Sequence, residues 1–284
     1  MVEEVLAALG PKAGGIYADG TLGSGGHAAA VLRASEPTGW LFGCDRDGAA
    51  LEAAGARLAA EFAGRFELRR GNFAELPDWV PAGRCDGVLL DLGVSSPQLD
   101  WAERGFSFQH DGPLDMRMDT RQALTAAELV NSASAEVLTK IFRDYGDEPE
   151  ARRMARAIER DRQVRRFATT RQLAELMERI APRHGRKAHP ATRVFQALRI
   201  AVNRENEELD ALLESLPDLV TPGGRVVFLA FMSIEDRTVK HAFQELERSG
   251  KAKILTRHVV RPTEEEVRDN PPSRSAKLRA LEIV

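Results

Sequence analysis

The sequence has few of the features that mark secreted and membrane proteins. Its 284 residues include only two cysteines, Cys44 and Cys85, each in or beside a predicted strand, which favours buried free thiols over a disulfide. No apolar run approaches the roughly 18 residues that a membrane span requires. The first residues lack the basic-then-apolar layout of a secretory signal. We therefore expect a protein of the reducing cytoplasm that has no membrane partner.

The chain also lacks a strong excess of charge of either sign, since its net charge is −3. The charges are unevenly distributed, however. Residues 1–100 contain 8 Lys and Arg against 14 Asp and Glu, whereas residues 143–199 contain 15 against 8. Such asymmetry predicts contact between the basic segment and nucleic acid or another anion, although a solvated helical surface rich in arginine has the same composition. The candidate phosphate contacts are Arg152, Arg153, Arg156, Arg162, Arg165, Arg166, Arg186 and Lys187.

Short apolar stretches in the first hundred residues predict the strands of a parallel sheet. Three of these stretches end on a carboxylate, at Asp19, Asp45 and Asp91. The next convincing strand begins at Arg225, after many more residues than one crossover needs, and the patterns between are helical. We therefore predict an α/β fold in which a sheet domain, residues 1–104 and 189–284, carries an inserted all-helical domain, residues 105–188. Residues 191–216 are predicted to form one helix that packs on the sheet.

A glycine-rich turn after the first strand predicts a nucleotide-type ligand. Residues 23–28 fit the pattern G-x-G-x-x-[GA], and Asp45 follows Gly25 at the distance of a ribose-binding acid. Asp19 stands directly before the turn, where it would repel a pyrophosphate and attract an ammonium group. The acids at the strand ends therefore favour S-adenosylmethionine over a nicotinamide dinucleotide, with an oxidoreductase as the rival class.

The segment that begins with Asp91 predicts the centre of a site, because ligands of open α/β sheets bind beyond the carboxyl ends of the strands. The alternative is that Asp91 only caps an ordinary turn. His27 fits a loop imidazole that hydrogen-bonds the cofactor or the backbone. Phe73 is either a core aromatic or the cover of an adenine ring. No ligand spacing predicts a metal site.

Six motifs spread over nearly the whole chain are long enough to be specific. They occupy residues 19–27, 86–100, 104–108, 111–118, 189–200 and 273–279. Together they resemble the bacterial MraW-type small-subunit ribosomal RNA (cytosine-N4)-methyltransferases. The resemblance implies a class I (Rossmann-like) methyltransferase sheet with a helical insertion, S-adenosylmethionine as methyl donor, and a cytidine of small-subunit ribosomal RNA as acceptor, in free RNA or in the assembled small subunit.

The resemblance also implies roles for individual residues. The family's cofactor contacts fall on Gly25, Gly26, His27, Asp45, Phe73, Asp91 and Gln98, to which the residues themselves add Asp19. Ser95, Ser96 and Pro97 loosely resemble the loop with which amino-methyltransferases of DNA bases hold the target amine, so they are the predicted catalytic residues.

The chain departs from the family after its fifth strand. Met232 stands where the family usually has histidine, and Ala230 stands where it usually has serine. If the histidine orients the target base, this protein is slow or has a changed substrate. The alternative function is therefore a non-catalytic or weakly active rRNA-binding ribosome-assembly factor.

Overall fold

The protein is described by a computed structural model that covers residues 1–93, 96–182 and 189–284, without the side chains at 96 and 97. The strands are β1 (Ile16–Asp19), β2 (Trp40–Asp45), β3 (Phe66–Arg70), β4 (Cys85–Asp91), β5 (Val220–Ala230), β6 (Ala252–Ile254) and β7 (Lys277–Ile283). The α-helices are α1 (Val2–Leu9), α2 (Gly26–Ala34), α3 (Gly48–Phe62), α4 (Leu76–Trp79), α5 (Ser96–Asp100), α6 (Ala126–Ser132), α7 (Ala135–Gly146), α8 (Ala151–Asp161), α9 (Thr170–Ile180), α10 (Ala191–Asn203), α11 (Glu205–Leu219), α12 (Ser233–Arg248) and α13 (Glu264–Asp269).

The strands form one seven-stranded sheet in the order β3-β2-β1-β4-β5-β7-β6. The pairs from β3 to β5 are parallel, whereas β7 runs antiparallel to both β5 and β6. The predicted α/β class and its parallel strands are thus confirmed. From β1 the chain builds outward to β2 and β3, and it then returns to place β4 on the other side of β1. The boundary between β1 and β4 is therefore the point at which the strand order reverses, where open sheets bind ligands.

The chain divides into two compact units, which we call the sheet unit (Met1–Gly93 and Asn206–Val284) and the helical unit (Val94–Glu205). One face of the sheet packs on α4, α11 and α12, and the other packs on α1, α2 and α3. The helical unit has a core of its own, built largely from α6 to α10. The division differs from the predicted insertion of 105–188, since residues 94–104 and 189–205 also fall in the helical unit.

The prediction of one long helix over 191–216 is wrong. Arg204 has a left-handed φ of 52° and separates α10 from α11. The apolar side of α10 lies in the core of the helical unit, and the apolar side of α11, with Leu209 and Leu212, lies against the sheet. Two consecutive helices that pack in different cores need a break between them. The second domain boundary therefore falls at this break, after Glu205.

Both cysteines are buried and free, as their strand positions predicted. No helix in the described ranges combines the length and the apolar composition that a bilayer crossing requires.

Candidate active site

The ends of β1 and β4 hold the centre of the candidate site. Asp19 ends β1, and its Oδ1 accepts a hydrogen bond from the backbone N–H of Thr21 at 3.0 Å. The Thr21 hydroxyl oxygen accepts the backbone N–H of Asp91, the last residue of β4, at 2.6 Å. The backbone N–H of Gly20 donates to the Leu89 carbonyl at 3.0 Å. Thr21 thus joins the two strand ends, a role that no sequence pattern had indicated.

The glycine-rich turn is held by the acid that ends β2. Oδ2 of Asp45 accepts the backbone N–H of Gly23 at 2.8 Å, and Oδ1 accepts that of Asp47 at 2.8 Å. Gly25 follows with a left-handed φ of 75° and leads into α2, a conformation that favours glycine. Because each carboxylate oxygen can accept more than one hydrogen bond, Asp45 can hold the turn and still receive a ligand hydroxyl.

Burial makes the carboxylates of this site hard to ionise. Asp19 is 2% exposed, and burial raises its pKa to about 7, with further increases from the nearby charges of Asp91 and Asp45. Burial also raises the pKa of Asp91 to about 6 and moves that of Asp45 upward. Three carboxylates drawn together in this way are stabilised by a cation or by hydrogen-bond donors, and a pyrophosphate would add to their repulsion.

Asp91 has a buried oxygen without a partner. Its Oδ1 makes no hydrogen bond to any described residue, and a buried acceptor left in this state costs free energy. Its Oδ2 lies 3.5 Å from Nδ1 of His27. Burial lowers the pKa of His27 to about 4, so the imidazole is neutral near pH 7 and does not neutralise Asp91, on which the N-terminal ammonium acts from farther away. So low a pKa also argues against His27 as a general base.

Phe73 lies at the entrance to the turn that follows β3. Asn72 caps this turn by accepting the Ala74 backbone N–H at 3.0 Å, and Phe73 is 9% exposed. A Cβ atom at Gly20 would come within 2.7 Å of the Phe73 Cβ, so only glycine allows the ring to approach the end of β1 this closely. Phe73 therefore lies beside the end of β1 and also belongs to the core, and its role as an adenine cover stays a prediction.

Arg46 contacts the ring of Phe73, and the sequence did not predict this contact. Its guanidinium lies 5.9 Å from the centre of the Phe73 ring. It also forms an ion pair with Glu208 of α11, and both side chains are largely buried, at 11% and 19% exposure. The two residues are far apart in the chain and belong to no motif, so no sequence signal could have paired them.

The geometry fits S-adenosylmethionine better than a dinucleotide. The sheet unit brings together Asp19, Asp45, Asp91, His27 and Phe73 around a turn that contains Gly25 and Gly26. The unpaired, partly buried carboxylate of Asp91 suits a positively charged ligand, and Asp45 and Phe73 suit the hydroxyls and the ring of a nucleoside.

The other predicted site residues fall outside this set. Gln98 lies in α5 and is 6% exposed, and it belongs to the helical unit, so its cofactor contact stays a prediction. Ser95 and the side chains of Ser96 and Pro97 lie outside the described residues. Among the side chains that the structure describes, no group of three or more His, Cys, Asp and Glu is arranged to hold a metal ion.

The motif at 111–118 proves to be structural in the helical unit. Arg117 donates two hydrogen bonds to the Asp115 carboxylate, at 2.8 and 2.7 Å. Met116 is buried with a left-handed φ of 63°. Its carbonyl accepts from Nδ2 of Asn203 at 2.7 Å, and the Met118 N–H donates to the Asn203 Oδ1 at 2.7 Å. The last side chain of α10 therefore fixes this loop.

The acidic residues that follow Met232 are structural as well. Oε2 of Glu235 accepts the backbone N–H groups of Phe231 and Met232, both at 3.1 Å. Asp236 binds Lys277 at 3.2 Å and Arg279 at 2.7 Å. Met232 is the N-cap of α12, and the Glu235 carboxylate holds the backbone of the turn at the position where the chain departs from the family pattern.

The basic segment divides into exposed and structural arginines. Arg152, Arg153, Arg156, Arg165 and Arg166 are exposed. Arg162 is not a candidate for RNA contact: its Nη1 donates to the carbonyls of Val130 and Ala133 at 2.9 and 2.6 Å, and its side chain is 11% exposed. It caps the end of α6, a role that composition could not distinguish from phosphate binding. Arg186 and Lys187 lie outside the described residues.

Comparisons with known proteins identify relatives along the whole chain. The model of the MraW methylase family matches residues 1–284. A protein of Syntrophotalea carbinolica named ribosomal RNA small subunit methyltransferase H is 48% identical, over 99% of this chain and 96% of its own length. A protein of the same name from a Cyanothece species is also 48% identical, over 98% of this chain and 91% of its own length.

Among solved structures, a putative rRNA-methylase from Clostridium thermocellum matches 100% of this chain and 95% of its own, with a TM-score of 0.50 and 10% identity. At this identity the likeness concerns the fold alone.

Proposed function

Because the chain belongs to the MraW methylase family, we propose that this methyltransferase moves a methyl group from S-adenosylmethionine to the exocyclic N4 amine of a cytidine in small-subunit ribosomal RNA. The substrate follows the names of the 48%-identical relatives. The observation that carries the proposal is the set of acids at the strand reversal, with the unpaired Oδ1 of Asp91 among them.

The sheet unit supplies the donor site. S-adenosylmethionine, when bound, provides a methyl group activated by a positively charged sulfur. Asp91 and Asp19 stabilise positive charge on the ligand, because a nearby cation offsets the burial that raises the pKa of each. Asp45 accepts ligand hydroxyls while it holds the Gly23 N–H. Phe73 covers the adenine ring, and Gly25 and Gly26 allow close approach of the backbone. Gln98 is a further proposed contact.

The main task of the protein toward the acceptor amine is to position it, and activation is secondary. The lone pair of a cytosine amine is delocalised into the ring, so catalysis depends on hydrogen bonds from the NH₂ and on alignment at about 3–3.5 Å from the methyl carbon. We assign this task to Ser95, Ser96 and Pro97, on the analogy with DNA amino-methyltransferases. With a pKa of about 4, His27 is a weak acceptor for the proton that the amine loses on methylation, so we assign that proton to solvent.

The target cytosine must be unstacked to reach such a site, and the exposed arginines of the helical unit can hold the surrounding RNA. Free ribosomal RNA and the assembled small subunit are both compatible with this arrangement. The cytoplasmic location expected from the sequence is part of the same proposal, because its substrate is ribosomal.

The proposal is tested by incubating the purified protein with S-adenosylmethionine and either small-subunit RNA transcripts or isolated small subunits. We expect nucleoside mass spectrometry to detect N4-methylcytidine. Asp91→Asn should lose most of the activity, whereas the exposed Asp78→Asn should retain it. Absence of methylated cytidine from both substrates would contradict the proposal. Restored subunit assembly by Asp91→Asn in cells that lack the gene would support the assembly-factor alternative.

A further inference from the structure

Helix α8 presents an arginine surface to solvent. Its buried positions are Ala151, Met154, Ala155, Ala157 and Ile158. Its exposed arginines are Arg152, Arg153, Arg156 and Arg160, which we call the arginine face. Arg152, Arg156 and Arg160 follow one another at intervals of four residues, so they form a row about 12 Å long on one side of the helix. A row of this length can meet more than one phosphate of a nucleic acid strand.

The arginine face borders two open depressions that share Arg152 and Arg156. One, of about 290 Å³, lies between α7 and α8 and is also lined by Thr139, Lys140 and Arg143; we call it the α7–α8 groove. The other, of about 520 Å³, lies along α8. In the two depressions together, the lysine and arginines of the lining outnumber the carboxylates, which are Glu136 and Glu150. The surface is thus concave, polar and positively charged.

The cations differ in how far the protein already neutralises them. Three of the arginines each have a carboxylate at ion-pair distance. The pairs are Arg153 with Glu150 at 3.5 Å, Arg160 with Asp161 at 2.9 Å and Arg143 with Asp144 at 2.8 Å. By contrast, Lys140, Arg152 and Arg156 have no carboxylate oxygen of a described residue within 4.0 Å. All three line the α7–α8 groove. Glu136 of the same groove attracts Arg156 from beyond ion-pair distance, so these charges are less neutralised than those of the paired arginines.

We propose that the α7–α8 groove binds the phosphate backbone of the substrate RNA through Lys140, Arg152 and Arg156. The planar guanidinium fork of arginine matches phosphate oxygens bidentately, and basic clefts concentrate polyanions. This inference rests on the proposed function for the identity of the RNA. The proposed binding site does not include Arg162, which caps α6, or Arg160, which is paired with Asp161.

The test is RNA binding by the full chain at several salt concentrations. The probe is a fluorescent single-stranded oligonucleotide of small-subunit ribosomal RNA, measured by anisotropy. Arg152→Gln with Arg156→Gln should weaken binding by about tenfold or more at low salt. It should also reduce the slope of log K against log [salt] by about 1.4, since each lost single-strand contact contributes about 0.7. The matched control, Lys240→Gln with Arg248→Gln, removes two exposed charges from α12 of the sheet unit and should leave both quantities near wild type.

Unchanged hydrogen exchange of α6 to α10 establishes that the helical unit of the groove variant is folded. Unchanged RNA affinity and slope in the groove variant, or an equal loss in the control, would overturn the inference and leave the proposed methylation untouched. Binding to phosphatidylglycerol vesicles through these arginines, without binding to RNA, would also overturn it. If the groove variant loses RNA binding although the wild type methylates no RNA, the proposed function fails and the groove assignment stands.

Discussion

At the scale of single residues, the site keeps carboxylates where solvent cannot fully stabilise their charge. Asp19 and Asp91 have pKa values raised by burial to about 7 and about 6. Structural acids are more often paired, so raised values at a strand reversal indicate a ligand site. The free protein therefore holds these groups partly protonated near neutral pH, and a positively charged ligand must displace the protons.

The affinity for S-adenosylmethionine should consequently fall as the pH falls. A cationic ligand favours the ionised acids, so binding is strongest above about pH 7 and weakens through the pKa values of about 7 and about 6. For each group, the affinity can change by at most about tenfold per pH unit. Calorimetric titration between pH 5 and pH 8 measures this slope. Asp91→Asn should have a weaker affinity and a flatter profile, whereas Asp78→Asn should behave as wild type. A pH-independent wild-type affinity would refute the assignment.

The buried pair of Arg46 and Glu208 should matter for stability more than for chemistry. Removing one partner of a buried ion pair leaves the other charge without compensation, at a cost of about 3–5 kcal/mol. We expect Arg46→Ala to lower the free energy of unfolding by about this amount in urea. Arg46→Met with Glu208→Gln should recover part of the loss, because no buried charge remains. Equal stability of Arg46→Ala and wild type would contradict the contact that supports Phe73.

At the scale of secondary structure, the strands were predictable and the helix break at Arg204 was not. Short apolar runs that end on acids specify buried parallel strands by their composition. Arg204 carries no such signal, since arginine is a good helix former and the apolar pattern continues on both sides of it. Its φ of 52° lies between a local ion pair across the break, Arg199 with Glu205 at 2.8 Å, and a tertiary contact, Asn203 with the 116–118 backbone.

Asn203 should therefore be critical for the helical unit. Asn203→Ala leaves the Met118 N–H and the Met116 carbonyl unpaired in a buried place, and each such group costs about 1–3 kcal/mol. We expect a lower free energy of unfolding of the helical unit, measured by hydrogen exchange of α6 to α10. Arg204→Gly is the matched variant, because glycine accepts a left-handed φ and should be neutral or stabilising by up to about 1 kcal/mol. If Asn203→Ala is as stable as wild type, Asn203 does not hold the loop.

At the scale of the whole molecule, the sequence predicted the class of fold and the acids of the site but not the domain boundaries. Length and the missing strand signal between Asp91 and Arg225 required an insertion. Its limits depend on which core each helix joins, and α10 joins the helical core although its apolar face suggested packing on the sheet. For the same reason Thr21, Arg46 and Glu208 were missed, since their roles come from contacts between distant parts of the chain.

Two units with separate cores should respond separately to the two substrates. We expect S-adenosylmethionine to slow amide exchange in the sheet unit, at the turn of residues 19–27 and at the ends of β2 and β4. RNA added afterwards should protect α7 and α8, whose proposed contacts lie in the α7–α8 groove. Hydrogen–deuterium exchange with mass spectrometry measures both, and S-adenosylhomocysteine without RNA serves as the control that should protect the sheet unit alone. Protection of α7 and α8 by S-adenosylmethionine alone would mean that cofactor binding is coupled to the helical unit, contrary to independent donor and RNA sites.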